Sequence, residues 1–206
     1  MRIVTPGREL SMEALAPWAE PVLMTAEELL RLPEDGWCYE LVEGRLVRMS
    51  PTGAEHGRIV IALLLAVDRF VEERHLGEIF PAETGFWISP GGEPDTVLAP
   101  DLAFVRAGRE PDAGMKSFPR LAPDLVAEVI SPSQGRSDMG AKAQLWLEAG
   151  VRLVWIVVPE ARVVEVWRDL QLMRILTAQE DLSGEDVLPG FVLPVASLFP
   201  SSPMGD

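Results

Sequence analysis

From Glu55 to about Arg74, the positions Ile59, Val60, Leu63, Val67, Phe70 and Val71 recur at helical spacing and form one apolar stripe, which predicts the clearest helix of the chain. The flanking segments follow other rules. Thr25 and Glu28 fit a capping box before a short helix ending near Leu32, and Pro33 to Gly36 reads as a turn. Trp37 to Val42 and Arg45 to Met49 flank Glu43-Gly44, the pattern of a hairpin. Gly77 is the expected stop of the long helix. Strands are then predicted at Glu78 to Ile88, Asp101 to Arg106 and Asp124 to Ser131, the first interrupted by Pro81 and the others preceded by Pro100 and Pro123. Ser89 to Pro94 reads as a glycine and proline turn, and Ala107 to Pro119 as a loop. Pro132 ends the third strand, Ser137 is placed to cap a helix to about Ala149, and Gly150 stops that helix. Arg152 to Val158, Arg162 to Trp167 and Leu170 to Thr177 predict three further strands joined by tight turns, before a mostly extended tail.

Strands in the middle, helices between them and a terminal meander predict an α/β or α+β sandwich, with parallel pairing only across the helical crossovers. Residues 1–23 carry three prolines and no sustained period, so they read as an N-terminal extension. Residues 24–200 are expected to form a single domain, with 201–206 as a tail. A length of 206 residues and 48% hydrophobic content suit one domain with a substantial core.

Composition narrows the chemistry. The longest apolar run, Ile59 to Val67, is nine residues long, against the roughly twenty that span a bilayer. No continuous apolar stretch follows Arg2 and Arg8 before Glu13, so no secretory signal is read there and a cytoplasmic protein is expected. With one cysteine, Cys38, and two histidines, His56 and His75, neither a disulfide framework nor a Cys/His-rich zinc site is available, and a metal would be held mainly by oxygen. The net charge of −14 argues against a broadly basic nucleic-acid surface. A local arginine patch can coexist with that average, and bound divalent cations relieve repulsion near a site.

Against that background two carboxylates stand out. Asp101 opens an apolar strand and Glu128 sits inside another, where ionised groups cost several kcal/mol, about that much each, unless compensated. Each has an ordinary explanation: Asp101 as a strand-initiating residue after proline, Glu128 as a strand-end group reaching solvent or an arginine. Together they can share Mg²⁺, which takes few carboxylates and keeps waters. Lys142 has Met139, Leu145 and Trp146 as its helical neighbours, so its stem lies on the inward face. The alternative for Lys142 is a surface pair with Asp138 one turn away. His56 shares the stripe of Ile59, Val60 and Leu63, which suits a hydrogen-bonded core histidine as well as an auxiliary site residue. Trp37, Trp146, Trp155 and Trp167 read as core or interface rather than base-stacking platforms. Arg136 can meet a phosphate near a helix start, or remain a solvated loop residue.

Pro100-Asp101, Glu128-Val129-Ile130 and Lys142, in that order, resemble the PD-(D/E)XK restriction-endonuclease-like superfamily. Ile130 departs from the pattern, standing where its lysine belongs, and Lys142 would supply the migrated charge. Tyr39 to Gly44, His56, Ser131-Pro132-Ser133 and Lys142 to Val151 followed by Trp155 resemble one branch, the Uma-type endonucleases, over about Met24 to Trp167. The resemblance implies a central mixed β-sheet flanked by helices and phosphodiester hydrolysis by metal-activated water. It implies Mg²⁺ or Mn²⁺ held by Asp101, Glu128 and the Val129 carbonyl, Lys142 as the third catalytic group, and Glu40 and His56 as auxiliaries. For Glu40 an outward hairpin residue remains the alternative. The implied partner is nucleic acid, with DNA expected first.

Signatures of other enzymes are missing, with no Gly-x-Ser-x-Gly, no phosphate-binding Gly-x-x-x-x-Gly-Lys and no His-Glu-x-x-His. A second reading is a non-catalytic or weakly catalytic nucleic-acid-binding or regulatory protein of the same fold, motivated by the acidic charge. A homo-oligomer, dimer or larger, is compatible with either, the apolar strands after Arg152 being the expected interface.

Overall fold

The computed structural model describes residues 23–33, 35–89, 94–112, 114–131 and 136–199, excepting the side chains of Arg136 and Ser137. The extension through residue 22, the middle of the turn at 89–94, the Pro132 stop, the Ser137 cap, the contacts of Arg136 and the tail at 201–206 lie outside the described residues.

Helix α1 (Ala26–Leu30) begins with the anticipated capping box, Thr25 and Glu28 exchanging side-chain to backbone hydrogen bonds, an arrangement worth about 1 kcal/mol. Strands β1 (Cys38–Val42) and β2 (Arg45–Met49) close a hairpin through Glu43 and Gly44, both at positive φ (49° and 74°), as a tight two-residue turn requires. Helix α2 (Ala54–Arg74) ends at Arg74 as expected, but its cap is His75, two residues before the expected glycine stop, in the left-handed conformation with its N–H reaching back to the last turn. Gly77 instead opens the next strand, where a Cβ would lie 2.1 Å from the Val105 carbonyl oxygen.

The segment expected as one strand from Glu78 to Ile88 is two. β3 (Gly77–Pro81) and β4 (Phe86–Trp87) belong to different sheets, separated by a turn in which Glu83 has φ 73°. The short β5 (Val97–Leu98) was not anticipated, since a two-residue strand carries no periodic signal. Then come β6 (Leu102–Arg106), β7 (Leu125–Val129), α3 (Arg136–Glu148), β8 (Leu153–Val158), β9 (Val163–Arg168) and β10 (Gln171–Leu176). The tail is less extended than expected, forming β11 (Asp181–Ser183), β12 (Val192–Pro194) and a 3-10 helix at Val195–Leu198.

A six-stranded sheet in the order β10-β9-β8-β7-β6-β3 forms the centre. Only β7 and β8 are parallel within it, joined by the crossover helix α3, while its other pairs are antiparallel. One face buries Leu125, Ala127, Val129 and Trp155 against Ile59, Leu63 and Val67 of α2 and the C-terminal Phe191 and Leu198. The other buries Val126, Val154 and Ile156 against Met139, Ala143 and Trp146 of α3, and against Phe86 and Leu98 of the four-stranded sheet β2-β1-β5-β4. The alternation of β7 therefore follows its sequence, with Glu128 on the α3 face.

Candidate active site

Strand β6 runs antiparallel to β7 with Leu102 opposite Ala127, so the start of β6 and the end of β7 meet at one end of the sheet. That register brings Asp101 to Val129, whose N–H donates to Asp101 Oδ2 at 2.7 Å. From the other layer, the first turn of α2 delivers His56, with Nε2 3.2 Å from the same oxygen. The turn has little choice: His56 sits one turn before Ile59, and burying the stripe buries the imidazole with it.

On the α3 face, Lys142 Nζ lies 2.9 Å from Glu128 Oε1 and 2.8 Å from Glu40 Oε1. All three side chains are buried. Glu40 is fixed further by the Ala99 N–H, which donates to its Oε1 at 2.8 Å. Trp146, one helical turn after Lys142, donates its indole N–H to Glu128 Oε1 at 3.0 Å. The ammonium thus ties three elements together, β1, β7 and α3. Lys142 looks inward to this cluster rather than to a surface pair with Asp138, and Glu40 is a buried residue rather than the outward side of a hairpin.

Burial raises the Glu128 carboxyl to about 7, the Lys142 charge pulling down while Asp101 and Glu40 push up. For Lys142, burial opposes the charge, yet Glu128 and Glu40 outweigh it and hold the ammonium above its ordinary value. Lys142 is therefore a permanent cation at neutral pH and has no lone pair with which to act as a base. Burial likewise opposes protonation of His56, but Asp101 and a backbone hydrogen bond at Val129 prevail, so its pKa is raised.

Among the described residues no three His, Cys, Asp or Glu side chains gather into a metal cage. The oxygen donors at the sheet end are two carboxylates and the Val129 carbonyl. Among the described residues, His56 and the Val129 N–H meet Oδ2 of Asp101, and Lys142 and the Trp146 N–H meet Oε1 of Glu128. Such a set fits Mg²⁺, which accepts one or two carboxylates and retains several waters.

A family model described as a putative restriction endonuclease, Uma2, matches residues 26–196, a span that contains every residue of this cluster. The chain belongs to the Uma2 family. No curated protein sequence matches it. Its structure is similar to the crystal structure of a putative nuclease belonging to DUF820 from Anabaena variabilis, with a TM-score of 0.74 and 22% sequence identity over 85% of this chain and 97% of that one. The Uma2 chain thus has the mixed central sheet with flanking helices of a restriction-endonuclease-like fold.

Three hydrogen-bond donors of the site are not marked in the sequence, the Trp146 indole and the N–H groups of Val129 and Ala99. Trp146 fits the expectation of core or interface, but its indole N–H also meets Glu128, and its spacing from Lys142 puts both on one face. The N–H groups of Val129 and Ala99 leave no mark in side-chain identity. Of the other tryptophans, Trp155 is core, stacked on Phe191 with ring centroids 5.7 Å apart. Trp37 is not core: it is exposed, with the Arg48 guanidinium over its ring at 4.0 Å.

Proposed function

We propose that this Uma2 protein is a divalent-metal-dependent nuclease, cytoplasmic and acting on DNA, with Asp101, Glu128 and Lys142 as its catalytic residues. The observation that carries the reading is the buried Lys142 ammonium between Glu128 and Glu40, at the sheet end where Asp101 meets Val129. A protein gains no stability from a lysine buried between two carboxylates that an apolar core would not supply more cheaply. No helix among the described residues is long and apolar enough to cross a membrane.

Asp101, Glu128 and the Val129 carbonyl would hold the cation. When bound, a divalent ion supplies Lewis-acid polarisation of the phosphoryl oxygen and a water of lowered pKa. His56 and the Val129 N–H fix the rotamer of Asp101 by engaging one oxygen. Glu128 must give up the proton that burial favours, and Lys142 and the Trp146 N–H stabilise the resulting anion. Lys142, held protonated, faces the negative charge that develops at the phosphate and orients the attacking water rather than deprotonating it. Glu40 keeps the ammonium in place.

The net charge of −14 motivates a second reading, a nucleic-acid-binding or regulatory protein of the same fold without turnover. Incubating the purified chain and Glu128→Ala with plasmid, linear and single-stranded DNA, and with RNA, in Mg²⁺ or Mn²⁺ separates the two. Metal-dependent cutting of DNA that disappears in the variant supports the nuclease; cutting that survives moves the chemistry elsewhere. Cation binding without cutting by either protein supports the second reading.

A further inference from the structure

Helix α2 buries Ile59, Leu63, Val67 and Val71 against the central sheet, and its opposite face looks outward. On that outward face Arg58, Ile61, Leu65 and Asp68 follow one another at alternating spacings of three and four, the a/d repeat of a two-helix seam. Ile61 and Leu65 leave 53% and 58% of their surface exposed at its centre, where a helix of a monomer normally carries polar side chains. Arg58 and Asp68 are exposed on either side, and neither forms an ion pair within the chain among the described residues.

We propose that this face is the contact between two copies of the chain, their α2 helices lying antiparallel. In an antiparallel seam each a position meets a d position of the other helix. Ile61 then lies opposite the partner's Leu65, and Leu65 opposite the partner's Ile61. The same operation sets Arg58 against the partner's Asp68 at one end and repeats the pair at the other, as a twofold interface requires. The order cation, apolar, apolar, anion is its own complement when reversed, which names a second copy as the occupant. A parallel arrangement would instead oppose Arg58 to itself and Asp68 to itself, a repulsion at both ends. With 21 residues, α2 is long enough for the whole seam, about 30 Å of helix. None of these four residues touches the carboxylate cluster, so the interface stands whatever chemistry that cluster performs.

Sedimentation equilibrium of the full chain, of Arg58→Asp, of Asp68→Arg and of the double variant tests the arrangement, with circular dichroism confirming the fold of each. The wild type is expected to be a dimer. Each single reversal replaces two ion pairs by two repulsions and should weaken association by about tenfold or more, and the double variant should return close to the wild type. A monomeric wild type overturns the proposal, and so does a double variant no better than the singles. A dimer indifferent to both reversals also overturns it and moves the contact elsewhere, as to the edge strand β10 with its exposed Leu172, Met173 and Ile175.

Discussion

Strands β7 and β8 lie side by side in parallel, Glu128 paired with Ile156, and both are buried along their full length. The two carry different tasks. In β8 every side chain is apolar and each face serves one of the two cores. In β7 the same alternation holds until the position before its last residue, where a carboxylate replaces the branched aliphatic that packing favours. Everything unusual nearby follows from that one exchange: the buried lysine, the indole N–H aimed at an oxygen, and a carboxyl raised to about 7. Next to a strand that shows what packing alone selects, the polar cluster is the cost that the proposed chemistry would explain, at the carboxyl end of the strand where α/β folds place ligands.

The contrast can be broken most severely through Lys142. Lys142→Met keeps the stem but leaves Glu128 and Glu40 buried without their cation, and should cost about 3 to 5 kcal/mol in chemical denaturation. Combining it with Glu128→Gln should recover part of that loss, because one orphaned charge goes too. Next comes Glu128→Ala, which should lower nuclease turnover on the order of a hundredfold or more while the circular dichroism spectrum is kept. Trp146→Phe removes the N–H and keeps a ring, and should destabilise by about 1.5 to 3 kcal/mol, as for a lost hydrogen bond to a charged group. On the neighbouring strand Ile156→Val should cost only about 1 kcal/mol, with cleavage unchanged. If Ile156→Val damaged cleavage as Glu128→Ala does, the division of labour between the strands would be wrong.

A further effect concerns pH. The folded Glu128 carboxyl is raised from 4.5 to about 7, so the native state binds an additional proton across that window. Its contribution is full below 4.5 and is lost as pH rises through about 7. The raised His56 changes stability in the same direction, its contribution lost as pH climbs through its folded value. Without divalent cations the wild type should therefore lose stability relative to Glu128→Gln between pH 5 and pH 8, about the window set by linkage. Thermal melts across that range would show it, and a constant difference between the two proteins would refute it.

Much of this organisation can be read from the sequence where a period or a turn residue carries it: the stripe of α2, the Glu43-Gly44 hairpin, the alternation along β7. What is invisible has a local reason. β5 is too short for a pattern, and the break between β3 and β4 is dictated by which sheet each joins rather than by Pro81 alone. Asp101, Glu128 and Lys142 are conspicuous because charge among apolar neighbours needs a partner. Glu40 is not, since an alternating hairpin allows a polar residue on either face, and only the fold brings Lys142 and the Ala99 N–H to it. Likewise the helical stripe places His56 inward but cannot say that its partner is Asp101, from a strand far along the chain.

Calorimetric titration of Mg²⁺ and Mn²⁺ into the wild type and into Asp101→Asn with Glu128→Gln, near neutral pH and in buffers of different ionisation heat, tests most directly whether this cluster is a metal site. The account predicts that the wild type binds and releases protons, because the cation displaces the one that burial places on Glu128, and that the double variant does not bind. Equal binding by both proteins, or no binding by either, would contradict it.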